Sequence, residues 1–231
     1  MDREDGDFVL DSLKGPIFAS ELIKHTTDLI SLETLQNTRN CIQEVKQYIK
    51  QSGYNFVLFT GRSGFMVDKL LGDIGEVQCA WLEKQDKRYN DPKGLELMLD
   101  ELGINPNKCR LIVVDDRISS GMFKSRSTLE GLQHTKLENY GFAGIIGPLK
   151  YQTNSNMTKL EAKSGILQDT NIKPENLFFP DLKNMNVWEL LNSLEKLSDY
   201  YEKSSLVREF IDSIAVKIHE TGNCTFDQTD L

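Results

Sequence analysis

The chain has no Cys-x-x-Cys pair. Its four cysteines, Cys41, Cys79, Cys109 and Cys224, are scattered, so a zinc site is not expected. Its three histidines, His25, His134 and His219, stand far apart and show no metal-ligand spacing. Ser63 and Ser120 have no recognisable His and Asp companions, which leaves a hydrolase triad without support. Basic charge is in deficit, with 27 Lys and Arg against 35 Asp and Glu and a net charge of −8. A broad nucleic-acid surface needs clustered cations, so none is expected, although a small basic pocket is compatible with this balance. No apolar run reaches the length of a bilayer, so no membrane attachment is expected. The opening residues Met1-Asp2-Arg3-Glu4-Asp5-Gly6-Asp7 are acidic where a leader would be basic. These absences together predict a cytoplasmic or nuclear protein with reduced cysteines.

What is present is enough for one sizeable core. Of the 231 residues, 39% are hydrophobic and 27% charged, which reads as globular. The most informative stretch is Leu111-Ile112-Val113-Val114-Asp115-Asp116-Arg117. An apolar run without alternation suits a strand buried on both faces, as in a parallel sheet. Acids at its carboxyl end fall where open α/β sheets bind ligands.

Other strands are expected at Phe8–Leu10, Phe56–Phe59, Val77–Leu82 and Phe142–Ile146. Helices are expected over Leu32–Gln51 and about Phe65–Leu71. Another opens at Asp91-Pro92, with Leu95, Met98, Leu99 and Leu102 as its buried stripe. The first of these helices presents Leu32, Leu35, Ile42, Val45, Tyr48 and Ile49 at roughly helical spacing, and Gly53 supplies its stop. Residues 151–180 show no clear period and read as an irregular segment. Helical patterns resume at Met185 and again over Leu206–Ile218. The fold class is therefore α/β, a doubly wound parallel sheet with a helical C-terminal extension. The expected division is an α/β core over residues 1–150 and an irregular segment with helices over 151–231, packed on that core.

Three strand ends then converge in sequence terms. The first delivers Ser12 and Lys14, the second Thr60, Gly61 and Arg62, and a later one Asp115, Asp116 and Arg117, with Lys84 and Lys87 after the third. This set resembles the haloacid dehalogenase-like (HAD) phosphatases. Their fold carries an Asp-x-Asp-Gly-Thr loop, a Thr or Ser ending the second strand, a Lys, and one or two acids ending a later strand. Thr60 matches the hydroxyl residue, Lys84 (or Lys87 or Lys93) the lysine, and Asp115 with Asp116 the acids. Thr60-Gly61-Arg62 together with Asp115-Asp116-Arg117 is similar to a subgroup associated with RNA-repair proteins.

The resemblance implies a carboxylate that attacks phosphorus, a second that moves protons, and a Mg²⁺ ion held by Asp115 and Asp116. The first motif departs from this pattern. Ser12 stands where the nucleophile belongs, and Lys14 where the acid/base belongs. A Lys14 ammonium beside Asp115 or Asp116 would take the charge slot of the metal. The expectation is a vestigial site at Ser12, Lys14, Thr60, Lys84, Asp115 and Asp116, with Gly61, Arg62 and Arg117 as ligand-binding residues. No cofactor is then expected, or Mg²⁺ if the site is active. The expected role is a binding or scaffolding subunit with a protein partner. An active Mg²⁺-dependent phosphatase on a nucleic acid or small molecule is the alternative.

A second resemblance runs through the same acids. Leu111 to Gly121, with Ser119-Ser120-Gly121, is similar to the phosphoribosyl-diphosphate loop of type I phosphoribosyltransferases: an apolar strand, two acids, and a Ser/Thr-Gly loop opening a helix. Backbone amides in such a loop could cradle a phosphate. Met122 and Phe123 replace the small residue and hydroxyl expected next, and Phe65 crowds the candidate diphosphate loop. A third possibility is a basic pocket of Arg62, Lys84, Lys87, Arg88 and Arg117 for a phosphate or an RNA end. Surface ion pairing accounts for the same residues.

Overall fold

The structure is a computed structural model. It describes residues 18–60, 64–82, 91, 93–118, 131–132, 135, 137, 139–148, 157–167, 172–181 and 184–221. Ser12, Lys14, Lys84, Gly61, Arg62, Ser119-Ser120-Gly121 and the predicted strand Phe8–Leu10 lie outside these residues.

Residues 18–29 form helix α1, where no helix is expected from the sequence. Thr26 and Thr27 turn their hydroxyls back onto the carbonyls of Leu22 and Ile23, so polar residues fit a helix whose Ala19 and Leu22 are buried. Helix α2 (Leu32–Gln51) starts at Ser31, whose hydroxyl accepts from the Thr34 amide at 3.1 Å. Its last turn closes on Gly53, at φ +67°. Leu32 is exposed and does not join the buried stripe. That stripe runs through Thr34, Leu35, Thr38, Cys41, Ile42, Val45 and Ile49. The threonines are tolerated there because the Thr38 hydroxyl donates to the Thr34 carbonyl.

The remaining elements are β1 (Phe56–Thr60), α3 (Gly64–Leu71), β2 (Gln78–Leu82), α4 (Gly94–Glu101), β3 (Arg110–Arg117), β4 (Asn139–Ile146), α5 (Lys159–Leu167), β5 (Leu177–Phe178), α6 (Met185–Ser198) and α7 (Ser205–Glu220). In α4 the expected stripe is buried at Leu95, Met98 and Leu99, but Leu102 is half exposed. The helix has ended before it, and Ile104, whose amide returns to the Leu99 carbonyl, packs against the core instead. The stretch read as irregular contains α5 and β5, so it supplies both a helix and a strand.

All five strands are parallel, in the order β2-β1-β3-β4-β5. Both faces are covered, as parallel sheets require. Strand alternation divides the apolar residues cleanly. Val57, Phe59, Ile112 and Val114 pack with α1, α2, α3, α6 and α7. Phe56, Leu58, Leu111 and Val113 pack with α4 and α5. The C-terminal helices thus share one core with the sheet. They close with α6 capped by Asn184 and α7 by Ser204.

The winding places the site. The chain leaves β1, crosses by α3 on the first face, and enters β2. It returns by α4 on the opposite face to β3, on the other side of β1. The crossovers therefore diverge between β1 and β3. Neighbouring strands whose connections run to opposite faces leave a crevice at their carboxyl ends, and that crevice is where open α/β sheets bind ligands.

Candidate functional site

The crevice begins with the two strand ends. Phe59 pairs with Val114, so Thr60 and Asp115 come next on the two strands and leave the same face. Thr60 is buried and Asp115 half-buried. Asp116 leaves the opposite face and is only 2% exposed. The two acids that look equivalent in sequence are therefore unlike in structure. Asp115 is open to the crevice side, whereas Asp116 is packed within the protein. The Asp116 amide donates to Asp115 Oδ1 at 2.9 Å, which fixes the more open carboxylate.

Arg117 turns away from both strand neighbours toward α6. Its Nη1 donates to Asn192 Oδ1 at 3.2 Å, and its Nη2 to the Glu195 carboxylate. Its Nε lies 3.8 Å from Asp116 Oδ2, and the guanidinium sits 6.0 Å from the Trp188 ring centre. Asn192 and Glu195 carried no signal in the sequence, because α6 reads there as an apolar stripe and its polar face looks solvated.

Two glycines let the chain turn tightly beside the crevice. A Cβ on Gly64, at the start of α3, would sit 3.3 Å from the Phe59 Cβ. The helix thus begins directly over the end of β1, with its N-terminal amides near the crevice. A Cβ on Gly144, the β4 partner of Asp115, would sit 2.6 Å from the Ile118 amide nitrogen. Ile118 donates to the Ile146 carbonyl at 3.0 Å, which folds the exit of β3 onto β4. Neither glycine was singled out from sequence, since a close approach of this kind is a tertiary property.

The structure sets Thr60 and Asp115 side by side on one face, while Asp116 packs on the other and Arg117 is held by α6. Among the described residues no group of three or more His, Cys, Asp or Glu side chains converges as a metal site, and no helix is long and apolar enough to cross a membrane. A separate groove of about 320 Å³ lies on α2, lined by Asn37, Asn40, Gln43, Glu44, Gln47 and Asp181 together with Cys41, and shares no residue with the strand ends. Comparison with protein-family models, with curated proteins and with solved structures finds no match for this chain.

Proposed function

We propose that the crevice at the carboxyl ends of β1 and β3 binds a phosphorylated ribose carrying a diphosphate, in the manner of type I phosphoribosyltransferases. The observation that carries this reading is the direct pairing of β1 with β3 at the switch point. It sets the carboxyl ends of β1 and β3, at Thr60 and Asp115, side by side, with the start of α3 at Gly64 packed over the end of β1. Such a pair suits a ligand with anionic groups at both ends of a hydroxylated ring. Asp115 would accept from ribose hydroxyls. The Thr60 strand end and the α3 N-terminus would face a phosphate. A divalent cation carried by the diphosphate would meet Asp115 as its nearest carboxylate.

The same pairing weighs against the HAD-like arrangement. That site needs the Ser12 and Lys14 loop beside both Thr60 and Asp115. Both edges of β1 and both edges of β3 are already taken by strands, so no further strand fits between them. A strand added beyond β2 would be two strand spacings from β1, about 10 Å away. A Lys14 side chain replacing Mg²⁺ between the acids would then have to arrive by some route other than an inserted strand. Met122 and Phe123, in place of a small residue and a hydroxyl, weaken the phosphate end of the phosphoribosyl loop. They favour a binding role over transfer, which keeps the chain a binding protein under either resemblance.

Calorimetric titration of the full chain with 5-phosphoribosyl 1-diphosphate and Mg²⁺ tests the proposal. Binding tighter than about 1 mM is expected, weakened about tenfold by Asp115→Asn through loss of a charged acceptor. No binding at that concentration would overturn it. Mg²⁺-dependent hydrolysis of p-nitrophenyl phosphate by the wild-type chain would instead favour the phosphatase reading.

A further inference from the structure

Arg117 is the residue for which motif and fold give different roles. Its place after two acids suggests a ligand contact, yet its fork is engaged by Asn192, Glu195 and Asp116. An arginine held by planar hydrogen bonds to a helix is a strut more than a phosphate receptor. The charges agree with this. Two carboxylates surround one guanidinium, so its field toward the crevice is largely offset.

We propose that Glu195 and Asn192 of α6 are positioning residues for Asp115, acting through Arg117. This rests on the phosphoribosyl reading only for the identity of the ligand. The chain of contacts runs from α6 to the Arg117 guanidinium and to the backbone of the last β3 residues. From there the Asp116 amide reaches Asp115 Oδ1. An amide donor orients a side chain only if that amide is itself fixed. The exit of β3 is pinned on one side by the bond from Ile118 to Ile146. Arg117 pins it on the other. An acceptor held in place before the ligand arrives loses less entropy on binding. Helix α6, 75 to 78 residues further along the chain, is thereby part of the site and not merely its support.

The test uses the full chain, with 5-phosphoribosyl 1-diphosphate and Mg²⁺ as the probe. A second readout, amide hydrogen exchange at residue 116, needs no ligand. Glu195→Ala should weaken binding about tenfold and speed exchange at the 116 amide by a similar factor, with the Val113 amide unchanged. Glu195→Gln should recover most of both, because its amide oxygen still accepts from Arg117. Arg117→Lys should behave like Glu195→Ala, since a single ammonium cannot span the three partners. In the Asp115→Asn background Glu195→Ala should cost no further affinity. The same tenfold loss in both backgrounds, or unchanged exchange at residue 116, would overturn the strut. If the wild-type chain ignores the probe while Glu195→Ala still speeds that exchange, the phosphoribosyl reading falls and the strut stands. If the probe binds and Glu195→Ala alters neither readout, the strut falls and the reading stands.

Discussion

The two ends of the parallel sheet are both polar, but they treat their polar groups differently. At the amino end the groups answer one another. The Asn55 side chain donates to the Lys108 carbonyl and accepts from the Arg110 amide, while its own amide and carbonyl join Arg110 and Gln78. Tyr48 donates to the Glu175 carbonyl and stacks on Phe178 at 4.4 Å. Arg110 lies over the Tyr54 ring. At the carboxyl end, β1 and β3 finish in a hydroxyl, two acids and an arginine, and the arginine is held from a distant helix. Polar groups that satisfy neighbours close the sheet. On the proposed reading, stability and ligand binding fall to opposite ends of one sheet.

The middle of the sheet sets the scale against which either end is judged. Leu58 is fully buried between β2 and β3, and Leu58→Ala should cost about 2–5 kcal/mol in urea unfolding. A cost below about 1 kcal/mol would mean that the core is not the one described.

Two glycines of β4 separate the ends more directly. A Cβ at Gly141 would collide with the Tyr54 hydroxyl at 2.1 Å and the Asn176 carbonyl at 2.9 Å, whereas one at Gly144 would meet the Ile118 backbone. Each change to alanine should destabilise by about 1–3 kcal/mol. Gly144→Ala should also weaken phosphoribosyl-diphosphate binding, and Gly141→Ala should leave the affinity of the folded protein unchanged. Equal effects on affinity would erase the distinction between the ends.

Asn55→Ala removes two side-chain hydrogen bonds at the exposed amino end. About 1 kcal/mol of stability should go with them, read by thermal unfolding, with ligand affinity unaffected.

At neutral pH the smallest effect is that of two buried thiols, which tells only as pH rises. Burial pushes the Cys109 thiol up to about 11. Burial, with Asp68 nearby, does the same to Cys79. In the unfolded chain these thiols ionise near about 8.5, so the unfolded state loses protons first. Their contribution is complete below about pH 8.5 and declines as pH rises toward about 11. Melting temperature should fall over that window, and less so in a Cys79→Ala, Cys109→Ala variant. A fall of the same size in that variant would assign the loss to other groups.

Local pattern was sufficient for much of the fold. Continuous apolar runs marked the strands at Phe56, Leu111 and Phe142, because a strand buried on both faces has no polar side to hide. Apolar spacing located α2, α6 and α7, and Gly53 marked the end of α2. Residues 18–29 escaped notice because their threonines satisfy themselves within the helix. Helix α5 has almost no apolar face, and β5, at two residues, has no pattern at all and exists through its pairing with Phe142 and Ala143.

The candidate site divides along the same line. Asp115 and Asp116 were legible because acids ending an apolar strand are a local signal. Their inequality was not, since it depends on which face each carboxylate leaves and what is packed there. Sequence could order the motifs but not the strands: whether another strand separates Thr60 from Asp115 is decided by hydrogen-bond pairing across tens of residues. Glu195 and Asn192 reach Arg117 only because α6 packs on the first face. Periodicity and propensity act over a few residues, and so the sequence by itself determined the strongly patterned elements. Strand order, the switch point and the partner of Arg117 arise from burial and pairing between distant segments, and only the tertiary structure decided them.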